Sequence, residues 1–518
     1  MGEDGTAGRG QPRGRGNGES RGSRGARWCR EDTVAIFLLG GVLAFRMIYL
    51  GVFPLGLTMD EAYYWDWGRR LAWGYYSKPP LIGWMYALGE ALGGGERLLR
   101  SFAALFGVGA LASLYLLGRS IFSPRTGLWA LLLLVAMPGL GPLHHLLTID
   151  APTFFFWSAG LTLTWCFLQA PRSSLATGLG VALVLGLGHL TKQILWVFPL
   201  LALAPALAVP AWRSRLWREG RWWPFAASYL FLLPNLAWNA AHGWPMFGHL
   251  WGYVDGSGPQ LRFRYLVELL ASELFLVGPL LLVLLLAALI RAGVVARRLS
   301  DGPLFLWALS APGILGYFLF ALTERVLPNW PLVFVASGIV LVAGMAREGL
   351  ELAGAEGHLR WGRGWLTPTA VTGLGLAAVL LLGPFLALPR VVEATGVDPF
   401  RRLRGWEPFA ASVSERAGGF EGSTVVVDGH RSHVSALAFY GEGQPRVRQW
   451  KRGDKPNSQY ELWEEGNEPG SALLVLVGED REPPAEFASH RRVDSLVLPL
   501  PDGTVRHYTL LAPPGTRR

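Results

Sequence analysis

The sequence predicts a mainly α-helical, polytopic membrane protein: a bundle of about eleven transmembrane spans with a small C-terminal α/β domain outside the membrane. Three observations carry this. The 518 residues are 51% hydrophobic and only 16% charged, against about 25% charged in soluble proteins. Apolar runs of roughly 20 residues, enough to cross a bilayer, recur along most of the chain. The 23 Trp suit an interfacial location, because indole rings favour the boundary between lipid and water. The formal charge of +9 does not point to nucleic acid, since the basic residues scatter through short loops and one tail rather than forming one basic face.

Residues 1–32 form a Gly- and Arg-rich tail with seven Arg from Arg9 to Arg30, a composition that favours disorder. Its Met-Gly-Glu-Asp-Gly-Thr start fits the bare myristoylation pattern, although a chain with many spans needs no lipid anchor. Residues 33–53 are too long for a signal-peptide core and lack an Ala-x-Ala site, so they read as a retained first span. Further spans are expected near 98–118, 126–143, 150–169, 174–190, 194–211, 222–239, 267–290, 303–322, 331–346 and 366–388. Cys29 in the tail and Cys166 inside an apolar run are expected in different compartments, so no disulfide follows, and neither has metal-ligand spacing.

Orientation follows from basic residues in short loops. With the tail in the cytoplasm, inside loops carry Arg119 and Arg125; Arg172; Arg213, Arg215, Arg218 and Arg221; Arg291, Arg297 and Arg298; and Arg347, Arg360 and Arg363. The alternate loops are poorer, with Lys192 alone in one, Arg262 and Arg264 in another and Arg325 in the last. The N-terminus is therefore expected inside and the C-terminus outside. Residues 33–388 then form the membrane domain, with a long outside loop at 54–97. That loop holds a helical aromatic segment at 60–72 and a second interfacial helix at 79–92, opened by Pro79-Pro80. From about residue 390 charge and turn residues rise. Strands are expected at 423–428, 472–477 and 495–499, giving a soluble domain over 390–518.

Five places carry candidate chemistry. Asp60 and Glu61 follow the first span beside Tyr63 and Tyr64; partial desolvation there would make a carboxylate a usable base, whereas a helix N-cap explains the same pair. Lys78, in Tyr76-Ser77-Lys78-Pro79-Pro80, can hold a phosphate near a helix start or simply snorkel. Asp150, at the outside end of the fourth span, either caps that helix or is used chemically. Lys192 in its very short outside loop is a phosphate candidate or an anchor. Arg325 could bind an anionic headgroup or pair with Glu324. His144, His145, His242 and His249 lack strong metal-ligand spacing, and no metal or cofactor is expected. No Gly-rich phosphate loop serves a soluble nucleotide, so a membrane-bound lipid phosphate fits better as activated donor.

The motifs Asp60-Glu61-Ala62-Tyr63-Tyr64, Ser77-Lys78-Pro79-Pro80-Leu81, Thr148-Ile149-Asp150-Ala151-Pro152 and Leu190-Thr191-Lys192, in this order, resemble those of bacterial GT-C class membrane glycosyltransferases. The family is the one related to protein O-mannosyltransferases and lipid A aminoarabinose transferases. Trp238-Asn239 to Trp244, Asp398-Pro399 to Trp406, Ala436 to Tyr440 and Asn457-Ser458-Gln459-Tyr460 extend the resemblance toward the C-terminus. It implies inverting transfer of a sugar from a polyprenyl-phosphate donor to a hydroxyl of an envelope lipid, glycan or protein, at the plasma membrane. Asp60 would match the catalytic aspartate, Asp150 the second acidic position and Lys78 the donor-phosphate lysine. Glu61, Tyr64, Lys192 and Arg325 would complete the substrate contacts. Ser77 stands where the aminoarabinose transferases carry glutamate, which argues against that specific reaction. A lipid-linked sugar transporter and a non-catalytic envelope assembly partner are the rival readings.

Overall fold

The computed structural model describes residues 28–514 apart from 173, 253–259, 352–357, 360–361, 387–388, 397, 399, 418–423 and 464–471. Most of the basic tail, its myristoylation pattern, Arg360, Pro399 and the first residue of the strand expected at 423–428 lie outside the described residues.

Helices dominate. Among the described residues five are long and apolar enough to cross a membrane: Arg30–Val52, Glu96–Ile121, Asp150–Gln169, Asp301–Phe320 and Arg363–Leu386. A sixth crossing follows if Phe263–Leu276 and Pro279–Val294 form one span, though they meet at 113°. Pro124–Val135, Leu175–His189, Gln193–Leu207 and Leu332–Arg347 are apolar but shorter. Of the eleven expected spans, helical length and composition by themselves support five, or six with the bent pair. Proline causes much of the shortening, because it removes a helix N–H and clashes with the preceding turn. Pro138 follows the end of Pro124–Val135, and Pro279 opens the second arm of the bent pair.

The bundle packs around Leu332–Arg347, which is buried on every side from Leu332 to Ala346, as expected for a helix that is apolar all round. At one end of the bundle arginines fasten helix termini. Arg221 donates to the carbonyls of Phe167, Leu168 and Ala170 at 2.8, 2.9 and 2.8 Å, a cation placed where the helix dipole is negative. Arg215 pairs with Asp301 at 2.6 Å.

At the other end sit two short helices. Met59–Gly68 is capped by Thr58, whose hydroxyl accepts from Glu61 N at 3.0 Å while Glu61 accepts from Thr58 N at 2.9 Å. It stops earlier than the 60–72 expected. Gly68 lies so close to the next helix that a Cβ there would sit 2.8 Å from Ala87 N. That helix, Leu81–Ala91, starts after Pro80.

The C-terminal part is a five-stranded mixed sheet in the order Val447–Gln449, Val425–Asp428, Leu473–Val477, Val505–Ala512, Arg491–Pro499. The first three strands are parallel and the last two add antiparallel. The expected strand at 495–499 begins earlier, at Arg491, and pairs with Val505–Ala512. Helices Trp406–Ala417 and Arg431–Tyr440 cover the sheet. Trp65, Trp67, Tyr75, Tyr86, Phe409, Leu437, Tyr460 and Tyr508 belong to one continuous hydrophobic core. The outer helices and the C-terminal sheet are therefore packed as one body.

Candidate active site

The first turn of Met59–Gly68 sets the site. Glu61 is fully buried and takes a two-pronged contact from Arg100, at 3.0 and 2.8 Å. It also accepts from Leu147 N at 3.0 Å. Arg100 spends its other donors on the carbonyls of Leu55 and Gly56. With Glu61 pinned inward, Asp60 is turned the other way, into a cavity of about 220 Å³.

Three other segments close that cavity. Tyr86 donates to Leu147 O at 2.6 Å, which with the Glu61 contact fixes the stretch leading to Asp150, the first residue of Asp150–Gln169. Gln193 donates to Ser77 O at 3.1 Å and Leu81 N donates to Leu190 O at 2.9 Å. These bonds hold the Lys78 and Lys192 segments side by side. The fourth element is the helix Arg431–Tyr440. It begins at the carboxyl end of the strand Val425–Asp428, where the sheet has parallel neighbours on both sides. Such switch points are the usual ligand-facing edges of open parallel sheets.

The charges fall into two satisfied pairs and one remainder. Arg431 donates to Asp60 Oδ1 at 2.9 Å and lies 4.5 Å from the centre of the Tyr63 ring. Lys192 donates to Asp150 Oδ1 at 2.8 Å, and Asn329 donates to Asp150 Oδ2 at 2.7 Å. Lys78 lines the same cavity but makes no side-chain hydrogen bond or ion pair among the described residues. Burial first, then Lys192 and Arg431, lower its pKa to about 8, against the upward pull of Asp150 and Asp60. A crowded cation without a partner is costly, and an anionic ligand would offset the cost. Burial, followed by the nearby Asp60, raises the Tyr64 phenol well above its usual range, so it stays a proton donor. Burial, then Lys78, pushes His249 down to about 4, leaving a neutral ring on the cavity wall.

Asp60, Tyr64, Lys78, Asp150 and Lys192 therefore converge on one cavity. Two expected contacts do not. Glu61 faces the protein interior and is consumed by Arg100, so it is a structural residue. Arg325 is exposed and pairs with Glu268 at 3.1 Å rather than lining the cavity. Among the described residues no group of three His, Cys, Asp or Glu could hold a metal. Arg431, Asn329 and Asn457 line the cavity without having been singled out from sequence. Asn329 and Asn457 fall inside stretches whose motifs are visible, but nothing local marks Arg431.

Residues 77–238 match the family model described as dolichyl-phosphate-mannose-protein mannosyltransferase. The chain is 26% identical over 435 residues to the lipid A galacturonosyltransferase RgtD of Rhizobium johnstonii, covering 82% of this chain and 86% of the relative. Over 175 residues it is 35% identical to an undecaprenyl phosphate-alpha-4-amino-4-deoxy-L-arabinose arabinosyl transferase of Pseudomonas aeruginosa, covering 32% of this chain and 31% of that one. The crystal structure of ArnT from Cupriavidus metallidurans bound to undecaprenyl phosphate has a similar fold, with a TM-score of 0.57 and 17% identity over 92% of this chain and 98% of ArnT. The apo ArnT structure gives the same TM-score at 16% identity. With the ordered motifs gathered around one polar cavity, these likenesses support a membrane glycosyltransferase of the GT-C class: the chain is similar to a protein mannosyltransferase family model over residues 77–238, to a lipid A galacturonosyltransferase over most of its length and to an arabinosyl transferase over a third of it.

Proposed function

We propose that this protein transfers a sugar from a polyprenyl-phosphate donor to a hydroxyl of an envelope acceptor, with inversion, on the extracytoplasmic side of the plasma membrane. The observation that carries the reading is the unpaired Lys78 in a cavity whose other charges are already matched. The donor phosphate is the anion that completes the set. The undecaprenyl phosphate-alpha-4-amino-4-deoxy-L-arabinose arabinosyl transferase among its relatives, and the undecaprenyl phosphate bound to ArnT, favour this donor class.

The acceptor oxygen attacks the anomeric carbon from the face opposite the phosphate. The new C–O bond forms as the bond to the phosphate oxygen breaks, and polyprenyl phosphate leaves. Asp60 Oδ1 is held by Arg431, while Oδ2 has no hydrogen bond among the described residues and can accept the hydroxyl proton or orient it. Lys78 stabilises charge developing on the leaving phosphate. Lys192 and Asn329 hold Asp150 in place on the cavity wall.

Two variants of the purified protein in lipid nanodiscs test the assignment. Lys78→Ala should weaken binding of undecaprenyl phosphate by about tenfold or more, since a charge-assisted contact is lost. Asp60→Asn should keep donor binding but lower transfer by about 10²–10⁴-fold. Unchanged donor affinity in the first variant, or normal transfer in the second, would remove the corresponding role.

A further inference from the structure

Two cavities that share no lining residue with the Asp60 site lie along the first and last long helices. The larger, of about 750 Å³, is an apolar groove between Arg30–Val52 and Arg363–Leu386. Phe37, Phe45 and Val52 form one wall, and Leu374, Leu381 and Phe385 form the other. Both helices are long and apolar enough to cross a membrane, which sets the groove at the depth of acyl chains. Arg46 interrupts the apolar lining, and no carboxylate lines the groove. Arg46 is buried; its Nη2 lies 3.1 Å from His144 Nδ1, while its Nη1 has no hydrogen-bond partner among the described residues. A buried donor without an acceptor is costly, and an acceptor entering the groove removes that cost.

The second cavity, of about 380 Å³, lies at the C-terminal domain. Arg401, Arg402 and Arg506 line it with Met59, Trp406 and Leu500, and again no carboxylate does. Arg506 lies 4.2 Å from the centre of the Trp406 ring and donates to the carbonyls of Arg404 and Arg401 at 3.1 and 3.3 Å. Arg401 reaches Asp502 only at 3.7 Å. The side chain of Arg402 is exposed and makes no hydrogen bond or ion pair among the described residues.

The same helix ends bound both cavities. Met59 follows shortly after Val52 in the chain. Phe400, next to Arg401, packs on the last long helix at Gly383, where a Cβ would come 3.1 Å from its ring. The basic pocket therefore sits where the two walls of the groove end. Arg46 is deeper, roughly 9 Å of helix before Val52. Cations at the end of a membrane span, an uncharged acceptor wanted below them and an apolar groove beneath match the order of groups along a phospholipid: phosphate, ester carbonyls, chains. Met59 and His433 face this pocket, whereas Asp60 and Arg431 face the reaction cavity. The first turns of Met59–Gly68 and Arg431–Tyr440 stand between the two.

We propose that the groove and the basic pocket together hold one acidic phospholipid, with its phosphate at Arg401 and Arg402, an ester carbonyl at Arg46 Nη1 and its chains between the first and last long helices. This lipid is neither donor nor acceptor, and the site stands independently of the transfer reading. The full-length protein in detergent is titrated with phosphatidylglycerol, phosphatidylcholine and water-soluble glycerol 3-phosphate, with binding read by native mass spectrometry. Phosphatidylglycerol should bind about tenfold or more tightly than phosphatidylcholine, because only its headgroup carries net negative charge to the arginines. Glycerol 3-phosphate, which has no chains to bury, should bind more weakly than either lipid. Arg402→Glu should abolish the preference for phosphatidylglycerol while leaving Tm unchanged, since Arg402 is exposed. Gly41 lines the groove, and a Cβ there meets nothing within 4 Å. Gly41→Phe should therefore fill the groove without a clash and weaken both phospholipids about tenfold. Neither variant should change undecaprenyl phosphate affinity. Equal binding of the two phospholipids, a preference that survives Arg402→Glu, or glycerol 3-phosphate binding as tight as phosphatidylglycerol overturns the proposal. So does an unaltered affinity in Gly41→Phe, and so does loss of undecaprenyl phosphate binding in that variant, which would give the groove to the donor's chain.

Discussion

Asp60 and Glu61 are neighbours in sequence with opposite fates, and the difference is burial. Glu61 lies beneath the surface with Arg100, whereas Asp60 faces a cavity and Arg431. Sequence alone could rank both as candidates but could not tell which side of the helix each would face. Asp150, Lys78 and Lys192 were legible because each sits in a short motif next to an expected span. Arg325 looked equally promising, yet it sits on the surface beside Glu268. Lys78 also gives a prediction in pH. Its pKa in the unliganded site is lowered to about 8, so the cation is fully present below that pH and is lost as pH rises through it. Undecaprenyl phosphate affinity should therefore fall between about pH 7 and about pH 9, and Lys78→Arg should keep it flat, because arginine stays charged. An identical fall in the arginine variant would assign the titration to another group.

The capping box at the start of Met59–Gly68 shows how an element serves a site it does not touch. Glu61 closes the box, neutralises Arg100 and receives Leu147 N. Glu61→Ala would leave a buried guanidinium without its carboxylate, a loss of about 3–5 kcal/mol. Thermal unfolding in detergent should show a clearly lowered Tm, and an unchanged Tm would mean that the pair contributes no net stability. Apolar composition made the helices easy to anticipate, and Leu332–Arg347 is as buried as its sequence demands. Their lengths were harder, because internal prolines and the sharp bend near Gly278 divide runs that look continuous. The strand Val447–Gln449 escaped notice for a different reason. Three residues carry too little alternation to register, and only pairing with Val425–Val427 makes them a strand.

At the scale of the whole molecule, the site depends on two distant parts of the chain. Asp60 and Arg431 are 371 positions apart. No local pattern announces such a contact, which is why Arg431 was invisible while the strand before it was anticipated. Arg431→Ala should lower transfer while sparing undecaprenyl phosphate binding by Lys78. Equal loss of both would instead indicate collapse of the cavity. The arginine-rich loops lead to the expectation that the C-terminal sheet lies outside. A reporter fused after residue 400 should be active only when exported, and cytoplasmic activity would reverse the topology.

The shared core between the outer helices and the C-terminal sheet has a consequence for how the protein comes into being. Helices made first can insert and pack, but the partner of Asp60 and the Asn457 wall arrive only with the last part of the chain. The cavity is therefore completed at the end of synthesis, when Arg431–Tyr440 docks on Met59–Gly68. Until that moment a nascent chain carries an unfinished site, and a prematurely truncated one would never acquire it.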